Sequence, residues 1–224
     1  MDPESRRAWT QIVTPEDYDR HMEGIGQAHA CADLVTWFLS CARLPKRSRV
    51  VVVGAGTGWL LDRVDAAWLR DLSFTFTDIS PRFLDKLKER LRDHGFDAEV
   101  LEDDIEATAL SPRMDLLIAS LVLEHIDWRK GVASIAGLSP RLVGVVLQEN
   151  PPGMTTSITP GRTLPPSIEA ASQVALSGLV PRLDVLREFE RWQYRCETES
   201  VRSVADEKRL IGCLFRAAPE QSTN

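Results

Sequence analysis

The stretch RVVVVGAGTG, residues 49–58, constrains this chain more than any other. Four valines in succession read as a strand that is apolar on both faces, and such a strand belongs inside a sheet covered on both sides. It runs directly into Gly54, Gly56 and Gly58, and WLLDRVDAAWLRDL after them carries apolar residues at helical spacing. Strand, tight turn and helix are therefore expected in that order. The pattern recurs: LSFTFTD forms a second strand ending at Asp78, then Ser80 caps and Pro81 opens a helix over RFLDKLKERLRDHG that Gly95 closes. Further strands are expected at 97–101, 114–120 and 142–148, with a helix at 128–138. This alternation predicts a doubly wound α/β fold on a mostly parallel sheet. A helix at 181–192 and two β-rich runs, YRCETESVRSV and KRLIGCLFRA, joined at Ala205-Asp206-Glu207, complete seven strands with the last antiparallel.

Residues 1–48 lie outside this alternation and read as a helical cap, with Cys31, Leu34, Val35, Phe38 and Leu39 on one helix face. Residues 49–224 form the α/β domain, interrupted at about 150–180 by a Pro/Gly/Ser/Thr-rich insert with one helix-like segment. That insert is too long and too apolar for a plain connector and is expected to be a lid. Charge narrows the partners: the net value is −6, and basic residues are interleaved with acidic ones, so no nucleic acid is expected. No apolar run approaches the roughly 18 residues of a membrane span and no basic leader precedes one, so no membrane partner is expected. Cys31, Cys41, Cys196 and Cys213 are spread without metal-ligand spacing, which suits free thiols in a reducing, cytoplasmic setting. The final EQSTN reads as a frayed tail.

Alternate glycines after a strand permit left-handed backbone and let a ligand approach the main chain. The nicotinamide fingerprint needs a small residue at position 59, where the helix packs on the strand, and Trp59 stands there. GAGTG instead resembles the first motif of class I S-adenosylmethionine-dependent methyltransferases, and TDIS, DDIE and LIASLVLEHI resemble later motifs of their small-molecule branch. The resemblance runs over roughly residues 50–148. It implies S-adenosylmethionine as cofactor, held around Gly54, Ala55, Gly56 and Gly58. Asp78 would accept both ribose hydroxyls, with Ile79 beside it. Asp104, or Asp103 in its place, would accept from the adenine amino group while the Ile105 backbone faces the ring. Ser120 and Leu121 would flank the cofactor, and Tyr18 is either a contact for its methionine end or a packed aromatic. The family often has an acid two positions before the first glycine; Val52 stands there, leaving carbonyls such as those of Gly54 or Gly56 to hold the ammonium.

QENPPG, residues 148–153, contains the Asn-Pro-Pro of amino-group methyltransferases. That family carries it after the fourth strand with an aromatic following. Here it follows the fifth, with Gly153 next, and reads as a strand end. At the fourth strand stands SLVLEHI, which reproduces the Glu-His half of a metal-binding ExxEH stretch but has Leu121 for the first acid, so no metal is expected. His125 is the best-placed base by the family pattern and Glu149 a second candidate. The resulting expectation is methyl transfer to the oxygen or nitrogen of a small-molecule acceptor by a monomer or homodimer. The alternatives are a non-catalytic sensor or scaffold that binds S-adenosylmethionine, or a protein methyltransferase.

Overall fold

A computed structural model describes residues 1–175 and 178–218; the expected frayed tail EQSTN lies outside them. The N-terminal segment forms α1 (Pro3–Arg7), a wide π turn at Ala8–Ile12, α2 (Pro15–Gly24) and α3 (Gln27–Ala42). The parallel core follows as β1 (Arg49–Val53), α4 (Ala66–Asp71), β2 (Ser73–Asp78), α5 (Pro81–Asp93), β3 (Glu99–Glu102), β4 (Leu116–Ser120), α6 (Trp128–Gly137) and β5 (Leu142–Glu149). The last described elements are α7 (Pro166–Val174), α8 (Arg182–Arg191), β6 (Tyr194–Ser203) and β7 (Arg209–Ala217).

One seven-stranded sheet runs β3-β2-β1-β4-β5-β7-β6, with β7 antiparallel to both of its neighbours. This is the doubly wound fold expected. The valine run of β1 explains itself: Val50 and Val52 join one apolar layer with α3 and α5, while Val51 and Val53 join the opposite layer with α6 and α8. The hairpin turns at Asp206 and Glu207, both left-handed (φ 62° and 57°), as a tight antiparallel connection requires.

Three local expectations are corrected. Residues 59–71 do not form one helix; a 3₁₀ turn at Trp59–Asp62 precedes α4. Trp59, Leu60 and Leu61 are all buried, and a regular helix presents only one stripe to a core, so the tighter turn takes over. Ser80 sits at the start of α5 but makes no capping bond: the Asp78 carboxylate accepts from its backbone N–H instead. The third correction concerns residues 1–48, which divide in function. Helix α3 is a core layer, with Phe38 lying over Gly144 of β5 and Gly212 of β7. A Cβ at Gly144 would come within 2.7 Å of the Phe38 ring, so the flat seat depends on glycine. α1, the π turn and α2 extend over the site, where α3 contributes Gln27 at its start.

The strand order reverses between β1 and β4, so the connections leaving their carboxyl ends diverge toward opposite faces and open a crevice. Both the glycine loop and the SLVLEHI segment fall at that crevice.

Candidate active site

A cavity of about 700 Å³ opens at the crevice and reaches from the glycine loop to α7. Gly54 and Gly56 form its floor, each with φ 58°. A Cβ at Gly54 would lie 2.4 Å from Val122 Cγ2, and one at Gly56 would lie 3.2 Å from Tyr18 Cε1. These glycines keep the main chain bare toward the cavity. Gly58 does something else: it is left-handed (φ 76°) and a Cβ there would lie 2.3 Å from Leu87 Cδ1, so this glycine admits helix α5. Among the described residues, neither Gly58 nor Ala55 belongs to the cavity wall. Ala55 is buried behind it, donating its N–H to the Thr77 carbonyl at 2.9 Å.

Asp78 ties the floor together. Its Oδ2 accepts from Gly56 N at 2.9 Å and its Oδ1 from Ser80 N at 2.9 Å. A carboxylate oxygen takes more than one donor, so both oxygens retain capacity toward the cavity that Asp78 and Ile79 line. Burial pushes the Asp78 carboxyl up to about 6, against the pull of those backbone donors. The residue is 8% exposed.

At the next strand end, Asp103, Asp104 and Ile105 all line the wall. Asp104 is already engaged, capping a short turn through Glu106 N at 3.0 Å and pairing with Arg6. Asp103 uses Oδ1 on Ala109 N at 2.9 Å and leaves Oδ2 buried without a hydrogen-bond partner. The carboxylate oxygen without a partner here thus belongs to Asp103, while each Asp104 oxygen already holds one.

Ser120 and Leu121 line the wall where β4 ends. Leu121 has φ 56°, a conformation that costs a branched residue energy and tends to mark functional sites. Its N–H donates to Val146 O at 3.0 Å, which holds the bend. The Ser120 hydroxyl is buried beside the Cys31 thiol. His125 also lines the cavity, its ring 4.6 Å from that of Trp9. Burial pushes the imidazole down to about 4, so it is neutral at pH 7 and a weaker base than expected. Glu149 is placed elsewhere. It pairs with Arg209 on the partly exposed edge, and among the described residues the wall does not include it. The Glu149 expectation is therefore corrected: the outward side of the last β5 residue faces the hairpin, not the crevice.

The acid at the wall is Glu124, which sequence reasoning used only as half of an incomplete metal set. It is 6% exposed; Oε1 accepts from Gln148 N at 2.8 Å and Oε2 is buried without a partner. Burial raises it to about 7. The available signal was an acid preceded by Leu121, Val122 and Leu123 in the segment that follows β4.

The roof comes from both ends of the chain. Ile168 and Ala171 of α7 pack with Trp9, Ile12, Val13 and Phe83. Asp17 accepts from Ser167 N at 2.8 Å, and Ser167 Oγ accepts from Thr14 N at 3.1 Å, tying the lid to the start of α2. Tyr18 lines the cavity against Gly56 and packs 5.0 Å from the Phe83 ring, its phenol held protonated by burial. Asn150 organises the loop below, donating to the carbonyls of Met154 at 3.2 Å and Thr156 at 2.7 Å, while Gly153 turns with φ 88°. The Asn-Pro-Pro tripeptide is structural. The four cysteines are free thiols, with Cys196 and Cys213 brought together in the β6–β7 hairpin.

The fit to an adenosyl sulfonium rests on this floor: bare glycine backbone, a buried carboxyl with spare acceptor capacity for a diol, and an unbonded carboxylate oxygen one strand away. Residues 51–139 match the family described as a methyltransferase domain. Together with the sheet order, this match supports a class I S-adenosylmethionine-dependent methyltransferase domain.

Among individual proteins, the chain is similar to a malonyl-[acyl-carrier protein] O-methyltransferase of Magnetococcus marinus, 30% identical over 122 residues. That alignment covers 54% of this chain and 44% of the relative, so the match spans less than half of the relative's length. Two solved structures share the fold. One is a magnesium protoporphyrin IX methyltransferase from Synechocystis with bound S-adenosylhomocysteine (TM-score 0.64, 15% identity, 86% of this chain and 84% of that one). The other, from Rhodobacter sphaeroides, is described as a zinc-dependent alcohol dehydrogenase (TM-score 0.69, 18% identity, 97% and 100%). Among the described residues, no helix is long and apolar enough to cross a membrane.

Proposed function

We propose that this chain transfers the methyl group of S-adenosylmethionine to the nitrogen or oxygen of a small acceptor enclosed beneath α7. The observation that carries the reading is the continuity of the cavity, which joins the Gly54–Asp78 floor to an apolar chamber under the lid. In this reading Gly54 and Gly56 offer backbone to the donor, Asp78 and Ile79 its ribose, Asp103 or Asp104 with Ile105 its base, and Ser120 and Leu121 its flank. When bound, the donor supplies a methyl carbon already activated on a sulfonium. The chain's own task is then to align the acceptor, exclude water and receive a proton. The chamber is roofed by α1, α2 and α7, which favours a small molecule over a protein tail.

A non-catalytic role in binding S-adenosylmethionine is the competing reading, supported by the depressed His125 and by Val52 where the family often has an acid. Calorimetry with S-adenosylmethionine tests the shared premise. Formation of S-adenosylhomocysteine with small amines, alcohols and carboxylic acids separates enzyme from sensor. Label from radioactive donor should enter the extractable small-molecule fraction of a lysate; label in protein would overturn the small acceptor.

A further inference from the structure

The chamber beneath the lid is chemically one-sided. Its apolar wall includes Trp9, Met22, Ile25, Ile158, Ile168 and Leu179. Among the described wall residues, the one lysine or arginine is Lys130, on the exposed side of α6 and paired with Asp127 at 3.6 Å. His21 is pushed toward its neutral form by burial, Arg162 and Lys208, and His125 by burial. Against these stands the Glu124 carboxyl, anchored at Oε1 by Gln148 N, with Oε2 enclosed and unbonded. Gln148 is itself held by Gln27 at 2.7 Å and Asn150 at 2.7 Å, so the carboxyl is fixed by a buried chain of side chains. A buried acceptor left unbonded destabilises the empty chamber, and a ligand donor removes that penalty.

We propose that the methyl acceptor is a small amine with an apolar body, its N–H groups received by Glu124 Oε2. This rests on the methyl-transfer reading above. A carboxylate acceptor would set a second negative charge beside Glu124 where, the donor's sulfonium apart, the cations of the described wall, Lys130 and the Met1 amino group, are already paired with Asp127 and Glu106, which disfavours it. An amine brings the complementary charge. In the reaction the nitrogen lone pair forms the new N–CH₃ bond, and the S–CH₃ bond of the donor breaks with its electron pair left on sulfur. Oε2 first takes a proton from the bound ammonium to free that lone pair and later passes it to solvent, and the methylated nitrogen leaves as the ammonium. Burial, which lifts Glu124 to about 7, suits a group that accepts and releases a proton near neutrality.

Matched probes test it: 2-phenylethylamine, 2-phenylethanol and phenylacetate, each followed for S-adenosylhomocysteine formation and, with S-adenosylhomocysteine present, for binding by calorimetry. The amine is expected to bind and be methylated in preference to the others. Glu124→Gln, which keeps an oxygen for Gln148 N, is expected to cut amine turnover by about 100-fold while donor affinity stays within about twofold. Preference for phenylacetate or phenylethanol, unchanged amine turnover in Glu124→Gln, or no amine binding by a protein that binds the donor would overturn the amine assignment and leave the methyl-transfer reading standing. Failure to bind the donor would overturn both.

Discussion

The two halves of the cavity are built by different means. The floor is made where β1, β2 and β4 end, and its shape is a matter of backbone: positive φ at Gly54, Gly56 and Leu121, and a carboxylate that bonds two main-chain N–H groups. The roof is made of side chains from both ends of the chain, and its π turn, α2 and α7 meet with Phe83 of α5 in a small apolar cluster. A floor formed by the sheet suits a ligand common to many proteins, because its geometry follows from the fold. A roof formed by appended segments changes with every substitution, and specificity resides there.

This contrast makes graded predictions. The largest effect is expected from Gly54→Ala, which combines a left-handed backbone, costing roughly 1–2 kcal/mol, with collision against Val122; donor affinity should fall about 100-fold or more. Affinity within a few-fold of the parent would mean the loop is not the floor. Asp78→Ala should weaken the donor by about 1.5–3 kcal/mol, the usual worth of hydrogen bonds to a charged group, without altering acceptor preference.

A pH series sharpens the same point. Asp78 in the empty protein titrates near 6 and must be ionised to accept two hydroxyls, so binding there releases a proton as pH falls. Donor affinity should drop by up to roughly tenfold per unit below that pH. Asp78→Asn should remove the dependence, and a dependence that survives would assign it to another group.

The smallest effect belongs to the roof. Asp17→Ala cuts the tie to Ser167 and should raise the KM for acceptor by roughly two- to fivefold while donor affinity holds. Equal losses in both would show that the halves are coupled and the contrast false.

Much of the floor was legible because its causes are local. A run of valines specifies a strand buried on both faces, and alternate glycines specify a turn; Asp78 was recognisable at the end of the next strand. What misled were positions where one residue type serves two ends. Gly58 looks like its neighbours but makes room for Leu87, and Asp104 also caps a turn, which the sequence does not show. Glu149 and Glu124 both follow a strand, and nothing local tells which faces the crevice. Only pairing with Arg209 in one case, and with Gln148 N in the other, separates them.

The sequence by itself determined the order of strands and helices and the glycine turn after β1, since hydrophobic periodicity and backbone freedom act over a few residues, while the donor class followed from the resemblance of its motifs to a known family. Tertiary structure alone decided that α3 is core while α1 and α2 are roof, that α7 closes on Trp9 and Phe83, and that the buried carboxyl of the chamber is Glu124. Those outcomes depend on which distant surfaces meet, and burial and partner choice exist only once they have met.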